Sequence, residues 1–262
     1  MTRAIECRTE AGRSRNKNTW TAALFASVLT AAGGAPAPWP PFLPPRETFA
    51  PDLAASVDHV WTDATLTRRV EGRPAAVSFD VYIGFVDAPD VTAAAARFLT
   101  LSRDRVRWLG GTWYEADDGE GAQGVYRVLV SEPSRRVMLS WGRHRGRLLG
   151  FVSGSALTVI DFRDHDGRVD QSLTTWVHID NAVAAALARV LVPIFGHLAD
   201  RKLKEGFTIS GRVAEWAVER PDQFCGWLAQ EPLPPERIDL VRRVVPACRD
   251  ATPPQAARRV TR

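Results

Sequence analysis

The chain has 262 residues, of which 45% are hydrophobic and 24% charged, with a formal net charge of +4. This composition is typical of a soluble globular protein and excludes a fibrous or disordered chain. The excess positive charge lies in the tails, since the first 20 and the last 12 residues each carry a net +3 and leave the body at about −2. A protein that follows a phosphate backbone concentrates positive charge on its folded surface, so the distribution argues against nucleic-acid binding.

The amino-terminal 37 residues have the layout of a secretory signal. A basic stretch ends at Trp20, an apolar run follows from Thr21 to Ala32, and small residues come next. The run is shorter than the roughly 20 residues that a bilayer-spanning helix needs. We therefore expect a signal peptide at 1–37 and a protein exported by a bacterial cell, periplasmic or secreted. The alternative is a disordered tail on a cytoplasmic protein.

The cysteines fit an exported protein without requiring one. Cys7 would leave with the signal, and Cys225 and Cys248 would remain as a pair that an oxidising compartment could join. Two separate thiols in a cytosolic protein would look the same. Neither cysteine has a CxxC partner or a histidine nearby, so we expect no zinc site.

The first half of the chain predicts a linker, strands and helices in that order. Proline-rich sequence marks 38–51 as an extended linker before a domain that begins near Asp52. Strands are predicted at Leu66–Arg69 and Ala76–Phe85, the second because its apolar residues alternate. A helix is predicted at Asp87–Leu101, with Asp87 or Asp90 as its cap, and a short one at Arg103–Trp108, capped by Ser102.

Strands then alternate with turns until one long helix follows. The strands are predicted at Gly111–Glu115, Val125–Val130, Val137–Trp141, Ser155–Phe162 and Gln171–Ile179. From Asn181 to Arg220 the apolar period becomes helical, with a kink or a break at Pro193. Residues 222–262 are expected to be a partly disordered extension that contains a short helix at Pro235–Val244.

Two motifs look like binding sites but have simpler interpretations. Gly119, Gly121 and Gly124 spell GxGxxG, yet a strand pattern follows them where a dinucleotide site needs the start of a helix, so we predict a hairpin loop. The acidic stretches 115–120 and 161–166 lack the spacing of a calcium loop and are interpreted as solvated turns.

Catalytic signals are sparse. The five histidines have no metal-ligand spacing, and there is no GxSxG motif. His144 and His178 lie on predicted strands, where either could be a general base if its face bordered a cavity, with Tyr126 or Asp161 as partner. Such a histidine is more often structural. Arg127 is similarly either a buried polar anchor or an exposed arginine, and no residue is assigned a catalytic role.

The order of elements resembles a known superfamily. The junction Val86-Asp87-Ala88-Pro89-Asp90-Val91 is similar to the strand-to-helix corner of the START-like (SRPBCC) superfamily, and Val213-Ala214-Glu215-Trp216 resembles its carboxy-terminal helix. The resemblance implies an α+β helix-grip fold at 52–221, a curved antiparallel sheet packed on a long C-terminal helix with a cavity between them. Residues 181–192 and an additional amino-terminal strand would be departures from that pattern.

Members of this superfamily mostly bind hydrophobic molecules, and some are cyclases or other enzymes. We expect a non-enzymatic binder or carrier of a lipid-like small molecule, without cofactor or metal, that contacts a membrane transiently and binds no nucleic acid. The alternatives are an aromatase/cyclase-type enzyme and a ligand-free interaction module. Arg127 or His178 would hold a polar headgroup, and the apolar lining would come from Phe79, Val81, Trp113, Trp141, Trp176, Ile194, Leu198 and Phe207.

Overall fold

A computed structural model describes residues 38–146 and 150–249, except for the side chains of 146 and 187–199. Seven antiparallel strands form one sheet in the order β1-β7-β6-β5-β4-β3-β2. The strands are β1 (Leu66–Glu71), β2 (Arg105–Gly110), β3 (Trp113–Asp117), β4 (Ala122–Glu132), β5 (Arg135–Gly146), β6 (Gly150–His165) and β7 (Arg168–Ile179). The helices are α1 (Pro51–Thr62), α2 (Phe79–Val86), α3 (Pro89–Phe98), α4 (Ala182–Glu219), α5 (Pro221–Leu228) and α6 (Pro235–Val244). The predicted α+β helix-grip architecture, a curved antiparallel sheet on a long C-terminal helix, is confirmed.

A row of glycines explains the curvature of the sheet. Gly124, Gly142 and Gly154 are direct neighbours across β4, β5 and β6. A Cβ on Gly124 would lie 2.5 Å from the carbonyl oxygen of Trp141, and one on Gly154 would collide with the carbonyl of His178. Only glycine permits these close backbone approaches, so the sheet can bend along this row.

Two predicted elements have the wrong type. Ala76–Phe85 overlaps helix α2 where we predicted a strand, because Val81 and Phe85 are spaced by four residues and are buried together. Among the described residues, β1 is therefore the first strand of the sheet, and no additional strand precedes it between residues 38 and 65. Arg103–Trp108 overlaps edge strand β2 where we predicted a helix, and the side chains of β2 alternate in exposure. The predicted cap of α3, Asp87 or Asp90, is also wrong, since the N-cap residue is Ala88 and no side chain caps the helix.

The closing helix α4 is one continuous element of 38 residues. Pro193 does not divide it, so the predicted break is wrong. Its start was predicted correctly: Asn181 caps it, because Oδ1 accepts hydrogen bonds from the backbone N–H groups of Val183 (2.9 Å) and Ala184 (3.0 Å). Among the described helices, none has both the length and the apolar character required to cross a membrane.

Both faces of the sheet are covered. Helices α2, α3 and α4, with α5 and α6 behind them, cover the face we call inner. Helix α1 and the segment 38–49 cover part of the opposite, outer face. The segment expected to be a linker is packed, since Phe42 stacks on Trp176 at 5.2 Å and the indole N–H of Trp61 donates to the Pro38 carbonyl at 2.8 Å.

The folded unit also extends beyond the predicted domain at its carboxyl end. Helix α6 has the predicted bounds, and Phe224, Leu228 and Val241 are almost completely buried against α2, α3 and α4. Cys225 and Cys248 form a disulfide. Residues 222–249 are therefore an integral part of the core, where a loose extension was expected.

Candidate functional site

A hollow of about 580 Å³ lies between the inner face of the sheet and helices α2, α3 and α4. The strands supply every second residue, because side chains on a strand alternate between its two faces. Most of the lining is apolar and includes Val128, Met138, Ile160, Leu173, Leu203 and Phe207. A space that their own side chains do not fill thus lies between the sheet and the helices.

Side chains on the two faces of the same strands are buried to different extents. On the outer face of β5 and β6, Val137, Leu139 and Leu157 are fully buried. On the inner face, Met138, Thr158 and Ile160 are only partly buried although helices cover them. The close-packed core at the centre of the sheet is therefore on the outer side, and the inner side borders the hollow.

A surface cleft meets the hollow beside α4. Ser102, Asp104, Gly206 and Ile209 line both spaces. The tip of the β3–β4 hairpin closes one side of this junction, where Lys202 Nζ lies 2.9 Å from Glu120 Oε2. Burial raises the pKa of the Asp104 carboxyl, which lies near other acidic groups. The cleft is a polar approach to an apolar interior.

Three sets of polar groups border the hollow and are already paired. Arg136 forms a bidentate pair with Asp87, at 2.7 and 2.9 Å. The hydroxyl of Tyr82 donates to Gln171, and the hydroxyls of Thr158 and Thr175 are 2.9 Å apart. These bonds satisfy the groups without a ligand.

A fourth set lies at the end formed by β3 and β4. Tyr114 and Tyr126 are cross-strand neighbours whose rings stack with centroids 5.1 Å apart. Arg237 of α6 donates from Nη2 to the hydroxyl of Tyr114 at 3.3 Å and is held by Asp90 at 2.7 Å. Burial works against the charge of Arg237, but the hydrogen bond and charge of Asp90 outweigh it and raise its pKa.

The structure brings five of the predicted site residues together, but on the outer face. They form two adjacent rows across the sheet. One row contains Trp113, Arg127 and Trp176, and the other contains Trp141 and His178. Trp113 stacks on Trp141 at 5.8 Å, and the Arg127 guanidinium lies 5.5 Å above Trp113. The expectation that these five residues line the cavity between sheet and helix is corrected: the parity assigned to the strands was inverted.

The remaining predicted lining residues are on helices. Phe207 of α4 does line the hollow. Phe79 and Val81 are on α2 and pack into the helical layer, outside the lining of the hollow. Ile194 and Leu198 are on α4 where its side chains lie outside the described residues.

The proposed acid–base pairs are not assembled around the hollow. His178 Nδ1 lies 2.8 Å from the carbonyl oxygen of Asp63 on the outer face, and its ring is 4.0 Å from that of His59. Asp161 pairs with Arg135 at 2.7 Å, also on the outer face. Tyr126 faces the hollow and His144 shares its parity, but His144 is outside the lining.

The structure shows where the glycine motif and the acidic stretches lie in the fold. Gly119 and Gly121 lie in the turn between β3 and β4, as predicted, and Gly124 is within β4. Asp117 accepts a hydrogen bond from the backbone N–H of Gly119, which lowers the pKa of its carboxyl. Within residues 38–146 and 150–249, no three His, Cys, Asp or Glu side chains converge on a common point.

Sequence reasoning missed the residues that line the hollow. The lining residues Tyr114, Val128, Met138 and Ser140 are on the strand faces opposite to those that carry Trp113, Arg127 and Trp141, which we had assigned to the cavity. A signal existed in the glycines at 124, 142 and 154, which share the parity of the lining residues and mark the concave side of a bent sheet.

Comparison with known proteins gives matches of fold only. No family model matches the chain, and no curated protein matches it. A conserved protein from Geobacillus kaustophilus is 19% identical over 58% of this chain and 97% of its own, with a TM-score of 0.44. Norcoclaurine synthase from Thalictrum flavum is 15% identical over 55% and 94%, with a TM-score of 0.36. DynU16 of the dynemicin biosynthetic locus is 16% identical over 59% and 48%, with a TM-score of 0.35. Membership of the START-like superfamily stays a prediction.

Proposed function

We propose that the protein binds or carries a hydrophobic small molecule in the hollow between the sheet and α4. The observation that carries this proposal is the hollow itself, about 580 Å³ with a mostly apolar lining. Sites for small molecules commonly have this size and character. An apolar occupant would make dispersion contacts with this lining and so stabilise the fold.

The two alternative functions have less support. A ligand-free interaction module needs no unfilled interior, whereas partly buried Met138 and Ile160 border one. A cyclase would need its histidine and its partner acid at one substrate. His178 is on the face opposite to Tyr126, His144 is outside the lining of the hollow, and Asp161 is on the outer face. Carriage therefore accounts for more of the geometry than either rival.

We also propose that the carrier works outside the cytoplasm. The Cys225–Cys248 disulfide supports this, because such bonds persist mainly in oxidising compartments. A transient contact with a membrane, from which an apolar cargo would be taken, belongs to the same proposal.

The test is a fluorescence titration with N-phenyl-1-naphthylamine, an apolar dye whose emission rises when it leaves water. We compare Gly206→Leu with the matched control Gly226→Leu. Both glycines are exposed in helices and have open space where a Cβ would project, but only Gly206 borders the hollow. We expect Gly206→Leu to weaken dye binding by about tenfold or more, which corresponds to ~1.4 kcal/mol.

The control variant should bind as the wild type does, since it gains the same helix propensity without filling the junction. Absence of dye binding to the wild-type protein, or equal binding by both variants, would contradict a ligand site at this place.

A further inference from the structure

The end of the hollow formed by β3 and β4 presents two phenol groups side by side. Tyr114 and Tyr126 are directly opposite each other in the antiparallel ladder, and both line the hollow. Their rings are nearly parallel, with an interplanar angle of 15°. Because cross-strand neighbours share a face of the sheet, both side chains project from its inner face, towards the hollow.

The hydrogen bonds at this end leave two donors without an acceptor. The hydroxyl of Tyr114 accepts from Arg237, so its own proton is free for donation. The hydroxyl of Tyr126 has no hydrogen-bond partner among the described residues. Both residues line the hollow, so an acceptor inside the hollow could receive a hydrogen bond from each hydroxyl.

Both phenols keep their protons over a wide pH range. Burial raises the pKa of Tyr126, and the neighbouring Tyr114 and Asp90 raise it further. Burial also raises the pKa of Tyr114, against the opposing effect of Arg237. Each group is therefore a neutral donor at physiological pH.

We propose that Tyr114 and Tyr126 form a two-donor site for one carbonyl oxygen, so that the hollow selects hydrophobic molecules that carry a ketone or a similar acceptor. Arg237 fixes this site, because Asp90 holds its guanidinium 5.6 Å from the Tyr114 ring. The inference rests on the proposed function, since it describes which molecules the same hollow takes.

The experiment compares two dyes in the full chain. One is 6-propionyl-2-(dimethylamino)naphthalene, a ketone whose emission moves to longer wavelength when its carbonyl accepts a hydrogen bond. The other is N-phenyl-1-naphthylamine, which has no carbonyl. The variants are Tyr114→Phe and Tyr126→Phe, and the matched control is Tyr82→Phe, whose hydroxyl also borders the hollow but donates to Gln171.

We expect Tyr114→Phe and Tyr126→Phe each to weaken binding of the ketone dye by about three- to tenfold, as loss of one hydrogen bond does. The emission of the bound ketone dye should also move to shorter wavelength, and binding of the carbonyl-free dye should not change. Tyr82→Phe should affect both dyes equally.

Three results would overturn the inference. One is a wild-type protein that binds the ketone dye with no response to either substitution. Another is an equal loss for both dyes, which would indicate a change of shape. If the carbonyl-free dye does not bind the wild type at all, the proposed function itself fails and the inference falls with it.

Discussion

At the scale of single residues, one buried ion pair holds the polar end of the hollow. The side chains of Arg237 and Asp90 are 9% and 3% exposed and approach to 2.7 Å. Arg237 also donates to the carbonyl oxygen of Asp87 at 2.9 Å. Loss of one partner from such a pair leaves the other charge buried without compensation.

We therefore expect Arg237→Met to lower the free energy of unfolding by about 3–5 kcal/mol in urea denaturation. The control is Arg107→Met, because Arg107 pairs with Glu115 at the same 2.7 Å but the two side chains are 68% and 48% exposed. Exposed pairs contribute about 0–1 kcal/mol. Equal effects of the two substitutions would show that the buried pair does not hold α6 in place.

At the scale of elements, α5 and α6 pack on the helical layer and are joined by a disulfide. The disulfide joins Cys225 in α5 to Cys248 just after α6, at a sequence separation of 23. Arg237 lies inside this closed loop, so the disulfide limits the freedom of the segment that positions the Tyr114 hydroxyl. A cross-link of this kind stabilises mainly by restricting the unfolded chain.

The double variant Cys225→Ser, Cys248→Ser should lose about 3 kcal/mol of unfolding free energy. Denaturant unfolding with and without a thiol reductant measures it. The wild type should approach the variant when it is reduced, and the variant should not respond to the reductant. If the unfolding free energy of the wild type does not change with the reductant, the disulfide does not stabilise the fold as we predict.

Most elements could be predicted because their local patterns have one interpretation. The strands β3 to β7 are separated by turns rich in glycine and acidic residues. Helix α4 has both an Asn181 cap and a helical apolar period. The segment that contains α2 has apolar residues at every second position, which fits a strand and a helix equally. Its contacts with α4 and α6 favour the helix, and these are distant in sequence.

At the scale of the whole molecule, the sheet is a middle layer with apolar side chains on both faces. The outer face packs against α1 and segment 38–49, where Phe42, Trp61 and Trp176 contact one another. The prolines of that segment predict a linker, so the sequence did not predict that it packs on a second apolar face of the sheet. The largest aromatic side chains were accordingly assigned to the cavity, whereas the structure places them outside it.

The candidate site was predictable in kind but not in detail. The order of elements implied a sheet, a closing helix and a space between them, and Phe207 of the predicted lining borders the hollow. The phenol pair depends on the pairing register of β3 with β4 and on Arg237 from α6, which lies more than a hundred residues further along the chain. No local pattern carries that information.

The measurement that tests ligand binding most directly is native mass spectrometry of the full chain, purified gently from its host. Organic extraction of the same sample identifies anything that is bound. We predict a stoichiometric adduct that partitions into the organic phase and is lost from Gly206→Leu but kept by Gly226→Leu. A bare mass that stays bare after incubation with mixed lipids would contradict a carrier function.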